Sequence, residues 1–453
     1  MSSATRNLFP HELLLSTCVV ACPDAETYGR MEATLSSPEL DWPTTLKTAI
    51  RHGVAPLLAW RLHDFPADPR IPAAIRPVLE RILKGQDARN AALFRATSLL
   101  TQALAQAGIP CLTLKGVGLA LAAYPEPALR CFSDIDLLVP EADWERAGQV
   151  AREIGFLPGE EQATPQDYHL SYRMRVEEDL LSETLVPEFE PKHRPEALGE
   201  AAHQITVEIH RSVFIHPGGF GRDVEMDPFW KAARTVTLPD GNPIRIPAPE
   251  AMLVHLAAHA AHHNYWRLYF MADMIQVIRT WGAEMDWERV CDFADRYGAL
   301  DAVYRMLEGA HREYAAPVPE DALRKLQART TCPPLELTEI FAAMELGRHE
   351  LSAMTWTLLL KQRSPWRALA SAGRILFPAP SIMERYYGVR SPLLLAGCYL
   401  IRPLQLAGRL ARVLSRIAGT HLQRAWTARS VSLRAAAEIT PAGRAPLTTG
   451  EEK

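Results

Sequence analysis

Asp134 and Asp136 flank a single apolar residue, Ile135, within the run Phe132-Ser-Asp-Ile-Asp-Leu-Leu-Val139. On a β-strand, side chains alternate between faces with period two, so both carboxylates project from one face while Ile135 and Leu137 enter the core. The pair is then expected to converge on solvent. Two carboxylates held that close repel each other unless a divalent cation lies between them. Mg²⁺ is the expected ion, with Mn²⁺ as the alternative, and Mg²⁺ on carboxylates commonly serves phosphates. Such a pair holds two ions about 3.5–4 Å apart in phosphoryl displacement. Glu208 stands on the polar face of a second alternating run, Ile205 to His210, and is the expected third ligand.

Other residues have types suited to the same chemistry. Gly116 lets backbone approach a phosphate closely beside a helix N-terminus, where anions are favoured. Lys115 is placed to neutralise a phosphate oxygen. Arg130 carries a planar donor fork that fits phosphate or carboxylate, with a salt bridge to Asp134 or Asp136 as the equal alternative. His255, His259, His262 and His263 crowd one helical stretch, and His255 and His259 share a face at i, i+4. That spacing suits a metal or a packed helix face. This stretch carries neither the His-Glu-x-x-His pattern of zinc proteases nor the His-Asp pair of metal phosphohydrolase helices. Asp273 has Arg267 and Arg279 as candidate partners, and Trp266 and Tyr269 read as core rather than as a base-stacking platform.

These residues need elements to hold them. Apolar spacing predicts a long helix over Ile75 to Ala107, stopped by Gly108-Ile109-Pro110. A short strand at Cys111 to Leu114, a turn at Lys115-Gly116 and a helix over Val117 to Ala123 follow. Phe132 to Val139 is the second strand, and Glu141 to Ile154 a helix closing at Gly155. The acidic, Pro-punctuated stretch 157–200 reads as an insertion or long loop over the site. Pro239-Asp240-Gly241-Asn242 turns a hairpin joining Val236–Leu238 to Ile244–Ile246. From Pro249 the chain is helical, with breaks at Pro317-Val-Pro319, Pro333-Pro334 and Pro378-Ala-Pro380. The expected organisation is a helical region over 1–105, a mixed-sheet core over 106–248, a larger helical region over 249–438 and a disordered tail at 439–453. The fold class is α+β.

Bulk composition narrows the classes. A chain of 453 residues, 48% hydrophobic and 23% charged, is expected to be globular with several domains. Its seven cysteines have no zinc-site spacing and read as reduced thiols, which predicts a cytoplasmic protein. Leu13 to Ala21 is apolar and ends at Cys22, but His11 and Glu12 abut it, so it reads as a buried helix rather than an export signal. No apolar run reaches the roughly 18 residues of a membrane span. Between Lys361 and Ala437 there are thirteen Lys or Arg and one acid, Glu384. There, Arg402, Arg409, Arg412 and Arg416 share one helical stripe opposite Leu406, Leu410, Val413, Leu414 and Ile417. That stripe predicts weak, salt-sensitive contact with anionic membrane surfaces, or else a peripheral packed helix.

Leu114-Lys115-Gly116, Tyr124-Pro125, Arg130 and Ser133 to Val139 resemble the signature of a family of uncharacterised bacterial nucleotidyltransferases, within the DNA polymerase β-like nucleotidyltransferase superfamily. The resemblance continues through Val207-Glu208-Ile209-His210, Leu253 to His263 and Trp266 to Asp273, across roughly 75 to 310. The superfamily usually has Gly-Ser where this chain has Lys115-Gly116, and more often Asp than Glu as its third acid. The resemblance implies a small mixed-sheet core flanked by helices. It also implies that Ser133 and His259 join Lys115, Gly116 and Arg130 at the nucleotide. The expected reaction transfers a nucleoside monophosphate from an NTP, ATP foremost, to a hydroxyl on a small molecule, peptide or saccharide. The alternative is a catalytically weak nucleotide-binding or partner protein on the same scaffold. Kinase chemistry lacks its Gly-rich and catalytic-loop motifs here, and no basic-aromatic groove for nucleic acid adjoins the acids.

Overall fold

A computed structural model gives the architecture. The residues it describes are 8–159, 169–176, 204–213, 226–330, 332–346 and 391–408, with single positions at 373, 376, 377, 380, 383, 387, 389 and 411. The expectations for Arg409, Arg412 and Arg416, most of 157–200 and the tail from 439 lie outside them.

Five helices open the chain: α1 Pro10–Cys18, α2 Ala25–Leu35, α3 Trp42–Arg51, α4 Ala55–His63 and α5 Arg76–Gln106. The apolar run at Leu13 to Ala21 is core, with Leu14, Leu15 and Val19 to Ala21 fully buried. The long α5 ends where Gly108 takes φ +71. Ile109 N–H then reaches the Leu104 carbonyl and Gly108 N–H the Ala105 carbonyl, closing the helix with a left-handed C-terminal cap.

The sheet has five strands: β1 Leu112–Thr113, β2 Asp134–Leu138, β3 Leu157–Pro158, β4 His169–Arg175 and β5 Gln204–His210. Their order is β1-β2-β5-β4-β3. β2 and β5 run parallel, and the other pairs are antiparallel. Two expectations change here. Lys115 and Gly116 are the first residues of helix α6, Lys115–Ala122, because Leu114 alone, at φ −82 and ψ 177, makes the switch from strand to helix. The stretch 157–200 is not all loop, since its residues 169–175 pair along their length with β5. Leu170, Tyr172 and Met174 alternate there and pack against the sheet's core, a period-two signal set among acidic, Pro-rich flanks.

Helix α7, Trp144–Glu153, covers the sheet beside α5, and Trp144 Nε1 donates to the Ile209 carbonyl at 2.8 Å. After the short α8, Asp227–Lys231, comes the hairpin of β6 Arg234–Thr237 with β7 Pro243–Ile246. Among the described residues there follow α9 Pro249–His262, α10 Leu268–Trp281, α11 Trp287–Arg296, α12 Leu300–Tyr314, α13 Glu320–Arg329 and α14 Leu337–Leu346, and a further helix spans 392–408. The prolines at 317–319 and 333–334 fall between helices, as expected. One hydrophobic core takes side chains from α1 to α4 and from α9 to α14 together. A second is built from the sheet, α7 and the C-terminal half of α5. α5 therefore ties the sheet to the helical body.

Candidate active site

The strand register assembles the acids. In the parallel pair of β2 and β5, Asp136 lies opposite Glu208 and Asp134 opposite Thr206. Ile135, Leu137, Val207 and Ile209 are fully buried on the other face. Ligand oxygens of Asp134, Asp136 and Glu208 all lie within 4.8 Å of one another. They line a cavity of about 520 Å³ whose other walls come from α3, α4, α5, α9 and α10. Asp136 is only 2% exposed, so it sits at the buried end of this cavity rather than on open solvent, where the pair was expected to converge.

Each acid has a distinct environment. Burial raises Asp134 to about 6, helped by the neighbouring Asp136 charge and opposed by Lys115. Burial also opposes ionisation of Asp136, but the Lys115 ammonium and a hydrogen bond from His210 hold its carboxyl below the ordinary range. Glu208 is likewise lowered against its burial by a hydrogen bond from His210. Lys115 Nζ lies 3.0 Å from Asp136 Oδ1. His210 Nε2 donates to the same oxygen at 3.1 Å. Asp136 Oδ2, in contrast, is buried with no hydrogen-bond partner. One oxygen is thus doubly satisfied, and the other is buried with an unmet capacity to accept.

Lys115 leads α6, so its ammonium and the first free N–H groups of that helix share the cavity wall. Gly116 is buried behind it, and a Cβ there would stand 3.2 Å from the Phe132 ring. The small residue therefore brings the helix start close to the strand carrying the acids. Lys115 is also 3.2 Å from His259 Nε2. Burial, followed by the Lys115 charge, pushes His259 well below the ordinary imidazole range. The neutral ring accepts the lysine's proton donor, and so His259 anchors Lys115. His255 is buried and pushed down to about 3 by burial and then by Lys115. Ser133 is exposed and lines the cavity.

Arg130 points elsewhere than either expectation had it. Its Nε and Nη2 donate to Asp273 Oδ1 and Oδ2 at 3.0 and 2.6 Å, and Tyr124 Oη donates to the same carboxylate at 2.7 Å. Asp273 thus pairs with Arg130, not with Arg267 or Arg279. Sequence reasoning passed over the polar side chains on α5 that hold this loop. Asn90 Nδ2 donates to the carbonyls of Pro127 and Arg130, and Gln86 Nε2 donates to Asn90 Oδ1 at 2.8 Å. It also missed Arg89, which donates to the Phe132 carbonyl, and Arg267, whose guanidinium lies 4.1 Å over the Trp266 ring. Both arginines line the cavity. A buried polar residue on a helix otherwise spaced for core was the available signal.

The donor set fits a divalent cation: hard carboxylate oxygens, close together, one of them buried and unpartnered. No curated protein matches the chain. A solved structure titled as an antigenic nucleotidyltransferase-like protein from Paracoccidioides brasiliensis is 12% identical over 51% of this chain and 95% of that one. Its TM-score is 0.28, too weak a likeness to bear on the site. The family described as "Uncharacterised nucleotidyltransferase" matches residues 38–314, more than half of the chain and all three acids, and the chain belongs to that family.

Proposed function

We propose that this nucleotidyltransferase moves a nucleoside monophosphate from an NTP, ATP foremost, to a hydroxyl on a small-molecule, peptide or saccharide acceptor. The observation that carries the reading is the trio Asp134, Asp136 and Glu208, gathered within 4.8 Å beside a buried carboxylate oxygen without a partner. Asp134, Asp136 and Glu208 would hold Mg²⁺ or Mn²⁺. Such an ion supplies charge for the phosphate oxygens and for the attacking and leaving oxygens.

The chain's own residues supply the rest. Lys115 and the N–H groups opening α6 bind the triphosphate, with Arg89, Arg267 and Ser133 on the same wall. Gly116 lets that helix start approach, and His259 steers Lys115. Arg130, engaged by Asp273, fixes the loop that feeds Ser133 and Asp134 into place. The acceptor oxygen bonds to the α-phosphorus, the bond to the bridging oxygen breaks, and pyrophosphate leaves. Glu208, ionised at the cavity edge, takes the hydroxyl proton. A transition state of spread phosphate charge gives most of the catalysis to positioning and electrostatics. The setting is cytoplasmic, in keeping with seven unpaired thiols.

Purified protein incubated with α-labelled ATP, Mg²⁺ and cell extract should yield labelled acceptor and pyrophosphate, and Asp136→Asn should not. Equal turnover in both proteins would overturn the assignment. One observation favours the alternative of a catalytically weak nucleotide-binding protein: Lys115 already neutralises Asp136. NTP binding without pyrophosphate release across a broad acceptor panel would establish it.

A further inference from the structure

Beside the acid trio stands a second cluster of different chemistry. His169 on β4 and His210 on β5 are register partners, and their rings are 5.2 Å apart. The Glu208 carboxylate lies between them. His210 Nε2 is 3.3 Å from Glu208 Oε2, and His169 Nε2 is 3.9 Å from Glu208 Oε1. All three ligand atoms fall within 4.8 Å of one another.

We propose that His169, Glu208 and His210 form a site for a Zn²⁺-class divalent ion, joined to the all-carboxylate site through Glu208 and through Asp136, whose Oδ1 lies 3.1 Å from His210 Nε2; metal binding would replace the proton that nitrogen now donates. The spacing supports this. Two ligands on a tetrahedral ion with bonds of about 2.1 Å stand roughly 3.4 Å apart; His210 Nε2 is 3.3 Å from one Glu208 oxygen and His169 Nε2 is 3.9 Å from the other, close to that value on each side of the carboxylate. At 3.9 Å, the His169 contact is too long for a hydrogen bond. The fold supports it as well. Each ligand is strand-borne, and His169 and His210 are cross-strand neighbours, so the backbone ladder fixes the arrangement.

The donor set decides which ion fits. Imidazole nitrogens suit Zn²⁺, Co²⁺ and Ni²⁺, whereas carboxylates alone suit Mg²⁺ and Mn²⁺. Two neighbouring sites of unlike hardness would let the protein hold a borderline ion while Mg²⁺ accompanies the nucleotide. Three protein ligands leave one position open, as in zinc sites that bind water or substrate. The inference shares Glu208 with the proposed reaction but does not depend on nucleotidyl transfer.

Co²⁺ serves as the probe, read by its visible absorption in the metal-free full-length protein, with Zn²⁺ as competitor. Wild type should give a Co²⁺ band that Zn²⁺ bleaches. His169→Ala should weaken Co²⁺ binding by at least about 10- to 100-fold, the loss typical even of outer partners of a metal site. His169→Asp, which restores an oxygen ligand, should recover part of it, and circular dichroism should show both variants folded. Asp134→Asn should retain the band. Absence of a band in wild type, equal affinity in His169→Ala, or loss of the band in Asp134→Asn would each overturn the proposal. A retained band with no pyrophosphate release by wild type would reject the transferase reading alone.

Discussion

Arg130 and Asp273 meet in a buried two-pronged ion pair, Nε to Oδ1 at 3.0 Å and Nη2 to Oδ2 at 2.6 Å, across 143 residues of sequence. The arginine sits on the loop entering β2 and the aspartate in the middle of α10, so the pair fastens the acid-bearing strand to the helical body. Tyr124 adds a third bond to the same carboxylate. Removing one partner leaves the other charge buried, which costs about 3–5 kcal/mol. Asp273→Asn is therefore expected to lower the free energy of unfolding by about that much, and the urea midpoint falls with it. Arg130→Lys should lose most of the same stability, because an ammonium cannot span both oxygens. Urea unfolding of the three proteins measures this; midpoints that coincide would remove the fastening role.

Asp134 should show stability and activity moving in opposite directions. Burial and the Asp136 charge raise it to about 6. A carboxyl raised in the fold keeps its proton where the unfolded chain has lost it, so folding weakens as pH rises from the unfolded value, about 3.9, through about 6. Asp134→Asn removes that penalty. The metal-free variant should melt above metal-free wild type at neutral pH, while nucleotidyl transfer falls on the order of 10³-fold, equivalent to about 4 kcal/mol of lost transition-state stabilisation. Calorimetry with and without Mg²⁺ is the check, and a variant that melts lower without metal would contradict it.

His52 predicts an acid-sensitive contact behind the cavity wall. Its Nδ1 accepts from the Leu268 N–H at 3.2 Å. Burial, with the nearby Arg51 charge, pushes it down to about 3. Because the unfolded imidazole takes a proton near 6.5 and the folded one does not, stability is full above about 6.5. It falls by about 1.4 kcal/mol per pH unit below that value, down to about 3. His52→Asn keeps an acceptor and deletes the titration. Wild type should exceed the variant in stability near neutrality, and the gap should shrink steadily on acidification. Denaturation series at several pH values would show it, and parallel pH slopes would count against it.

The helix at 392–408 gives the membrane expectation a concrete surface. Among the described residues no helix is long and apolar enough to cross a membrane. Yet Leu393, Leu400 and Leu404 on this helix are 75–87% exposed, and Leu394 and Ile401 are more than half exposed. Arg402 is half-buried beside them. With about 1 kcal/mol for each arginine near an anionic surface, binding should be reversible and salt-sensitive. The full-length protein is expected to co-sediment with anionic vesicles at low salt and to release near 1 M. Changing Arg402, Arg409, Arg412 and Arg416 to glutamine should reduce the bound fraction. Unchanged sedimentation of that variant would leave the stripe as a solvated face.

The candidate site was legible in the sequence wherever the signal was local. Asp134 and Asp136 share a face because strand alternation depends on nothing beyond neighbouring residues. The same alternation assigned Glu208 its polar face, and apolar periodicity placed α5 within a residue at each end. What the sequence left open were the choices of partner. That Asp136 stands opposite Glu208 depends on β2 and β5 pairing in parallel with one register. That His169 joins them depends on β4 adding to the far edge of β5 from within a stretch whose acids and prolines read as loop. The Arg130 fork suited Asp134, Asp136 or a phosphate equally well, and only the docking of α10 gave it to Asp273. Sequence periodicity fixes which way a side chain faces, because that is set by covalent geometry over a few residues. Which distant group it meets is set by the packing of whole elements, and only the tertiary structure decides it.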